Sequence, residues 1–302
     1  MLRAIADAWQ AFFHAPEPAS PAGVFRLLFG LVMVANTLLL FGDARRLLGP
    51  AGMLGGEHYR QTYGRSRFTL YALLPQTDAA VYAVLGVQLV AAVCLAAGLW
   101  TRLSAAVTFL TLVSYSNRNP AMTYGGDTVA RLLAFLLIFS QAGKAVSVDA
   151  LLAGAAGPQP AGEGLYSPWC LRLMQVQVAI VYLRTTYWKL RGKTWRDGTA
   201  AYYPTQLVYY RRFVLPRWAL NPVAIRVATW GTLVVEAALG TLVWVPGFRY
   251  TVLVAGAAFH LLLEFLLNLQ LFGFVMLASL TLFIDPDDAQ RWLASLNGWL
   301  YP

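Results

Sequence analysis

Long apolar stretches alternate with polar connections along most of this 302-residue chain. A bilayer core about 30 Å thick takes roughly 20 apolar residues of helix, so each stretch predicts a membrane-spanning helix. The pattern predicts about eight helices, with a range of seven to nine because the third is short and the last two adjoin. The predicted spans are 24–41, 79–100, 103–116, 128–142, 168–189, 224–245, 250–267 and 269–284.

Composition agrees with this pattern, because 58% of the residues are hydrophobic and only 12% are charged. Soluble domains carry about 25% charged residues. We therefore predict an all-α, polytopic integral membrane protein. Residues 1–22 form an interfacial N-terminal segment, 23–284 one transmembrane domain and 285–302 a short amphipathic tail. The net charge of +9 fits basic loops near anionic lipid, and no nucleic-acid-binding motif accompanies it.

Lys189 is the first candidate for chemistry, because it ends the fifth predicted span in the segment YWKLRGKTWRDGTA. A lysine at the centre of a membrane helix costs about 2.5–3.5 kcal/mol on insertion scales and usually marks function. The alternative is a lysine that extends to the membrane surface from a helix end. Two glycines and Trp195 follow within ten residues, which favours a constrained site at the membrane edge.

Two further spans carry ionisable residues. His260 and Glu264 are four residues apart on one helical face, so we predict a pair that holds the imidazole in one tautomer. The alternative is a hydrogen-bonded core histidine. Glu236 in the sixth span is another buried charge, with Arg226 or Arg184 as possible partners.

Polar residues also flank the fourth predicted span. Asp127 follows two glycines, so it is either a helix N-cap or a site residue that pairs with Arg131 on the same face. Asn117, Arg118 and Asn119 cluster at the same membrane edge and predict a polar pocket wall.

The sequence predicts no metal site. The three histidines, His14, His58 and His260, are far apart, and the two cysteines lack metal-ligand spacing. Phosphate-loop, His-Glu-x-x-His and Gly-x-Ser-x-Gly motifs are absent as well.

Several segments together resemble the transmembrane part of vitamin K-dependent γ-glutamyl carboxylase, the HTTM domain, in its compact bacterial form. They occur in the family's order and extend over nearly the whole chain, and the last two are the most specific because each continues for about twenty residues without a gap. The matching stretches are FRLLFGLVMV at 25–34, AAGLWTRLSAAVTFLTL at 96–112, GGDTVARLLAFLLIF at 125–139, VQVAIVYLRTTYWKLRGKTWRDGTA at 176–200 and FHLLLEFLLNLQLFGFVMLAS at 259–279.

The resemblance implies roles for individual residues. Lys189 matches the family's proposed base, a lysine followed by Leu shortly before a Trp and a Gly, and His260 matches a histidine after Phe in a late helix. A second family histidine falls at Asp127, where this chain departs from the family's pattern. Supporting or substrate-binding roles then fall to Asp127, Glu264, Asn117, Arg118, Asn119, Arg131, Trp195 and Glu236.

The resemblance also implies the chemistry. Oxygenation and epoxidation of a reduced vitamin K-type naphthoquinone would be coupled to carboxylation of peptide glutamate, with O2 and CO2 as co-substrates. Lys189 can begin this reaction only as a neutral amine, and burial disfavours its ammonium form.

Two other functions stay open. The chain would be an HTTM protein that matures a secreted peptide or toxin of the sporulation-delaying type by other chemistry, which Asp127 favours, or a non-catalytic carrier or immunity protein. The expected partners are the lipid bilayer and an acidic or secreted peptide. The expected location is the bacterial inner membrane, which the chain crosses several times.

Overall fold

The structure, a computed structural model, describes residues 1–55, 61–62, 67–154 and 165–300. His58, one of the three histidines considered for a metal site, lies outside the described residues. Contacts divide the chain into two units. One comprises Met1–Arg172 and Pro286–Pro302, and the other comprises Leu173–Asp285.

The first unit is built from helices and one small strand pair. Strand β1, Glu17–Pro18, pairs antiparallel with β2, Leu165–Tyr166. Short 3-10 turns lie at Leu70–Ala72, Pro120–Met122 and Ala142–Lys144. The helices are α1 Leu2–His14, α2 Ser20–Leu48, α3 Asp78–Ala97, α4 Thr101–Arg118, α5 Gly125–Phe139, α6 Val148–Leu152, the start of α7 Trp169–Arg191, and α13 Pro286–Leu300.

Packing in the first unit centres on α2 and α3, which lie against each other, while α4 packs on α3 and α5. Phe25 and Phe29 of α2 are fully buried and stack with their ring centroids 5.4 Å apart. Leu95 of α3 and Leu112 of α4 are also fully buried. Apolar side chains at helical spacing therefore form the core that the hydrophobic pattern predicts.

Arg26 is a fully buried cation within this core. Its guanidinium donates only to backbone carbonyls, at distances up to 3.3 Å. Burying a charge is costly unless it is hydrogen-bonded, so Arg26 can be buried in this core only because these hydrogen bonds form. The acceptors are Leu95 and Ala96 at the end of α3, and Ala142 and Val146 in the connection that follows α5.

Asp149 in the short helix α6 closes the first turn of α4. Its two carboxylate oxygens accept from the backbone N–H groups of Trp100 and Thr101, both at 2.8 Å. Burial alone would raise the pKa of Asp149, but those hydrogen bonds and the positive charge of Arg26 lower it below its ordinary value of 3.8. A carboxylate at a helix N-terminus stabilises the helix, because four N–H groups there have no partner within the helix.

The second unit contains most of α7 and the helices that follow it. Strand-like pairing is limited to one bridge between Arg211 and Leu267 in the part of the chain that the structure describes. Further 3-10 turns lie at Arg217–Leu220, Leu242–Trp244 and Thr281–Phe283. The helices are α8 Lys193–Arg196, α9 Tyr202–Gln206, α10 Pro222–Gly240, α11 Pro246–Leu266 and α12 Phe272–Leu280.

Each of the three long helices of the second unit buries one face. The buried positions Tyr182 and Thr186 of α7 are one turn apart, as are His260 and Glu264 of α11. Helix α10 begins at Pro222, where the side chain of Asn221 accepts from the first free backbone N–H groups. The buried faces therefore carry polar groups at defined positions among apolar ones.

Every predicted span overlaps a helix, and the structure is almost entirely helical, as the sequence predicted. By length and composition, four helices are suited to cross a membrane among the described residues: α2, α3, α10 and α11. Residues Phe272–Phe283 form a shorter apolar helix. The predicted count of about eight spans is therefore not confirmed, and the predicted boundaries at residues 22 and 284 stay predictions.

Candidate functional site

Four polar side chains follow the inner side of α7 toward its carboxyl end. They are Tyr182, Thr185, Thr186 and Lys189. Each lies three or four residues from another of the set, which places the two within one turn of each other. Tyr182 and Thr186 are buried, and the Lys189 side chain is 24% exposed. The end of this helix therefore presents a row of polar groups to its neighbours in the second unit.

Lys189 forms an ion pair with Glu236 of α10, in which the amine Nζ donates to the carboxylate oxygen Oε1. Thr185 donates to the other oxygen, Oε2, at 3.3 Å. The Glu236 side chain is only 9% exposed. Trp195 covers the amine, with its ring centroid 4.8 Å from Nζ. The buried carboxylate thus accepts from an amine and a hydroxyl, and the aromatic face of Trp195 lies against the amine, an arrangement favourable to a cation.

A glycine allows α10 to come this close to α7. A Cβ atom at Gly240 would lie 2.7 Å from Cγ of Leu183, closer than side-chain atoms normally approach. Glu236 is one turn before this contact, so the close packing of the two helices brings its carboxylate within reach of Lys189.

The predicted partners of Glu236 were wrong. Neither Arg226 nor Arg184 pairs with it, because Lys189 occupies its carboxylate. The neutral amine expected at Lys189 stays a prediction. The structure places the carboxylate of Glu236 at hydrogen-bond distance from it, so the candidate acid–base group is the lysine–glutamate pair as a unit.

His260 of α11 is 2% exposed, and its Nε2 shares a hydrogen bond of 2.8 Å with the hydroxyl of Tyr182. The other ring nitrogen, Nδ1, is buried and has no hydrogen-bond partner among the described residues. If Tyr182 donates its proton to Nε2, the proton of the neutral ring lies on Nδ1. The imidazole is therefore oriented by a tyrosine on α7.

Glu264 does not pair with His260, contrary to the prediction. Its Oε1 accepts from the guanidinium of Arg212 at 2.8 Å, in a segment between α9 and α10. A Cβ at Gly273 would lie 2.7 Å from Oε2, so this glycine leaves room for the carboxylate. The shared face of α11 was predicted correctly, but a long-range arginine competes successfully for the carboxylate, since charge-assisted hydrogen bonds are the stronger ones.

Asp127 lies in the first unit, in the first turn of α5. Its Oδ2 accepts from the backbone N–H of Tyr124 at 3.1 Å, and its Oδ1 accepts from the hydroxyl of Tyr115 at 2.9 Å. Tyr124 is the N-cap residue, so Asp127 caps the helix from the third position and not from the N-cap. Arg131 donates to the backbone carbonyl of Asp127 at 3.3 Å, which replaces the predicted pairing with its carboxylate.

The end of α4 is tied to the end of α2 and to the connection between α2 and α3 by Asn117, Arg118 and Asn119. Their side chains donate to backbone carbonyls at 2.5–3.1 Å. The acceptors are Phe68 for Asn117, Leu54 and Gly49 for Arg118, and Leu47 for Asn119. The residues predicted to form a pocket wall thus donate to backbone carbonyls. Those of Leu47 and Gly49 lie at the end of α2, where carbonyls have no partner within the helix.

The structure therefore divides the predicted site residues between the two units. Lys189, Trp195, Glu236, His260 and Glu264 belong to the second. Asp127, Arg131 and the three residues that end α4 belong to the first.

Tyr182, Thr185 and Arg212 were missed from the sequence. Tyr182 is seven residues before Lys189, and this spacing places both on one helical face, so the helical period could have identified it. Arg212 carried no such signal, because its partner is 52 positions away.

The chemistry that this arrangement offers is proton transfer. Nζ of Lys189 donates a hydrogen bond to Oε1 of Glu236, so a proton can move between these two atoms. No group of three or more metal-ligating side chains occurs in the described ranges.

The model of the HTTM domain family matches residues 14–288, which is most of the chain, and the protein belongs to this family of membrane domains. It is 29% identical over 122 residues to the uncharacterized protein YitO of Bacillus subtilis (strain 168), covering 39% of this chain and 40% of YitO. It is 25% identical over 205 residues to the sporulation-delaying protein SdpB of the same organism, covering 63% of this chain and 61% of SdpB. The matches thus span less than two thirds of either relative. No solved structure matches the chain.

Proposed function

We propose that this HTTM protein is a membrane enzyme of the γ-glutamyl carboxylase type, whose proton-transfer chemistry is centred on Lys189 and Glu236. The observation that carries the proposal is the ion pair itself, because the carboxylate is 9% exposed and the amine lies against Trp195. Ionisable groups that are costly to bury are retained mainly where they have a function.

Proton transfer within the pair converts the ammonium of Lys189 into a neutral amine, which can act as a base. Moving the proton from Nζ of Lys189 to Oε1 of Glu236 leaves a neutral amine beside a neutral acid. Burial of the Glu236 carboxylate disfavours two separate charges, which brings the neutral pair closer in energy to the ion pair. Thr185 donates to Oε2 and keeps the carboxyl group oriented during this exchange.

The residues present fit a reduced vitamin K-type naphthoquinone, the cofactor that the family resemblance implies. Lys189 and Glu236 provide the acid–base group, and Trp195 provides an indole ring whose centroid is 4.8 Å from the amine. A flat aromatic diol needs an aromatic or apolar surface and a base for its weakly acidic hydroxyl, and these three residues offer both. With O2, such a cofactor would supply the strong base needed to activate peptide glutamate for addition of CO2, and Lys189, Glu236 and Trp195 are the residues that would hold it.

The chain's own residues then have distinct roles in the proposal. Glu236 accepts the first proton, which Lys189 passes to it. Lys189 then takes the proton of the bound hydroxyl group, and the ammonium that results stabilises the negative charge left on that oxygen. His260, oriented by Tyr182, offers its second ring nitrogen as a hydrogen-bonding group. The inner membrane of a bacterium is the proposed location, and an acidic or secreted peptide is the proposed substrate.

The test uses purified protein with reduced naphthoquinone, a glutamate-containing peptide, bicarbonate and oxygen. Wild type should form quinone epoxide and add one carbon dioxide to the peptide, as measured by chromatography and mass spectrometry. Lys189→Ala should abolish both products. The exposed Lys193→Ala, four residues further on, is the matched control and should behave as wild type. Absence of epoxide with wild type, or equal turnover in Lys189→Ala, rejects the carboxylase proposal.

A second candidate is maturation of a secreted peptide by other chemistry. Asp127 supports it, since a carboxylate that accepts from Tyr124 and Tyr115 replaces the second histidine of the carboxylase family. The similarity to sporulation-delaying protein SdpB also supports it. Comparing peptides secreted by cells with and without the gene by mass spectrometry distinguishes the two, because a mass change other than carbon dioxide that depends on Lys189 favours this candidate.

A further inference from the structure

The outward face of α7 carries a second set of charged side chains, distinct from the inner row that contains Lys189. We name Arg184, Tyr187, Trp188 and Arg191 the Arg–aromatic cluster. The guanidinium of Arg184 lies 5.9 Å from the Tyr187 ring and 5.1 Å from the Trp188 ring. That of Arg191 lies 5.1 Å and 5.5 Å from the same two rings. Both guanidinium groups therefore lie over the same two aromatic rings.

Within the described part of the chain, neither arginine of the cluster has a neutralising partner. No carboxylate among the described residues forms an ion pair with Arg184 or Arg191. Both arginines are exposed, and the rings of Tyr187 and Trp188 are 47% and 52% exposed. The cluster is therefore a positively charged surface to which an anion has access.

Contact with aromatic rings suits the arginines to one kind of ligand. Neither guanidinium has its N–H donors taken by an ion pair with a carboxylate of the described residues, and the planar fork of these donors matches the oxygens of a phosphate group. The rings also restrict the side chains, so less conformational freedom is lost on binding than for mobile arginines.

The other exposed residues on this face of α7 indicate which kind of molecule carries the phosphate group. Leu173, Ile180 and Leu183 are 37%, 50% and 42% exposed along α7, and the two aromatic residues and Arg191 follow them. Exposed apolar residues beside Tyr, Trp and Arg are typical of a helix face at the boundary between the hydrocarbon and the headgroup region. The apolar residues suit acyl chains, and the arginines suit the phosphate above them.

We propose that the Arg–aromatic cluster binds the phosphate group of an anionic phospholipid. The phosphate of the bound lipid accepts hydrogen bonds from both guanidinium groups, and the lipid holds the end of α7 that also carries Lys189 on its inner side. This site is independent of the reaction proposed for Lys189 and Glu236, so either proposal can fail without the other.

The experiment measures quenching of tryptophan fluorescence by brominated phospholipids added to the protein in neutral detergent. Brominated phosphatidylglycerol should quench at far lower concentrations than brominated phosphatidylcholine. Trp188→Phe, which retains an aromatic ring but removes the reporter, should lose the part of the signal that saturates first. The double variant Arg184→Gln/Arg191→Gln should bind phosphatidylglycerol about thirtyfold more weakly, as expected for the loss of two basic residues at a membrane surface.

Two further variants make the outcome decisive. Arg196→Gln removes an exposed arginine just beyond α7 and should bind phosphatidylglycerol as wild type does. Arg184→Lys/Arg191→Lys keeps both charges and should show a smaller loss, so it tests the site if the glutamine variant does not fold. Equal binding of the two brominated lipids, unchanged binding by the glutamine double variant, or displacement of the lipid by equimolar inorganic phosphate overturns the proposal.

Discussion

Lys189 on α7 and Glu236 on α10 are 47 positions apart in the chain, and they form an ion pair whose carboxylate is 9% exposed. Each residue alone has an ordinary explanation, as a helix-end lysine or an isolated buried acid. Together they form a coupled acid–base group, and the energetic cost of separating them is the first property to measure.

Removing the lysine should destabilise the protein because the carboxylate of Glu236 would be left without its ammonium. We expect Lys189→Ala to lower the free energy of unfolding by about 1.5–3 kcal/mol, the usual range for a hydrogen bond to a charged group. Lys193→Ala should change it by less than about 0.5 kcal/mol. A double-mutant cycle with Glu236→Gln should reveal coupling between the two residues, and strictly additive losses would show that the pair contributes nothing.

The hydroxyl of Tyr182 should contribute through its bond to His260. Tyr182→Phe removes the partner of a buried imidazole nitrogen, so we expect a loss of about 1–2 kcal/mol in the free energy of unfolding. Tyr187→Phe, on the outward face of the same helix, is the control and should have little effect. Equal stability of the two variants, measured by thermal unfolding in the same detergent, would exclude this role.

The close approach of α10 to α7 should make Gly240 sensitive to substitution. Gly240→Ala places a Cβ 2.7 Å from Cγ of Leu183, so we expect destabilisation by about 1 kcal/mol or more. Gly231 on the same helix has open space around its Cα, and Gly231→Ala should be neutral or stabilising because alanine favours helix. If thermal unfolding ranks the two variants in the opposite order, the helices are not packed as described.

Asp149 should make the stability of the first unit depend on acid pH. Because its pKa is lower in the folded protein than the ordinary 3.8, its contribution is present above that value and is lost as pH falls through the folded pKa. Asp149→Asn should reduce stability near neutral pH by about 1 kcal/mol, as loss of a helix cap does. The difference between wild type and variant should then shrink below about pH 4. Asp7→Asn, an exposed change in α1, is the control, and a pH-independent difference for Asp149→Asn would contradict the assignment.

Sequence reasoning identified the helices well because the hydrophobic pattern determines where helices form. The inner faces of α7 and α11 also follow from spacing, which places Lys189, His260 and Glu264 on the sides where they are found. The partners could not be predicted, because Glu236 and Arg212 reach their sites through packing between segments distant in sequence. Asn117, Arg118 and Asn119 looked like a pocket wall, since the sequence does not reveal which backbone carbonyls lack donors.

Turnover by variants that alter each member of the ion pair tests the central claim most directly. Rates of peptide modification should be measured for wild type, Lys189→Ala, Glu236→Gln and Lys193→Ala under one set of conditions. If the pair acts as one acid–base group, the first two variants should each lose at least about a hundredfold in rate, as removal of general acid–base catalysis does, and Lys193→Ala should not. A folded Glu236→Gln protein with the rate of wild type would contradict the account.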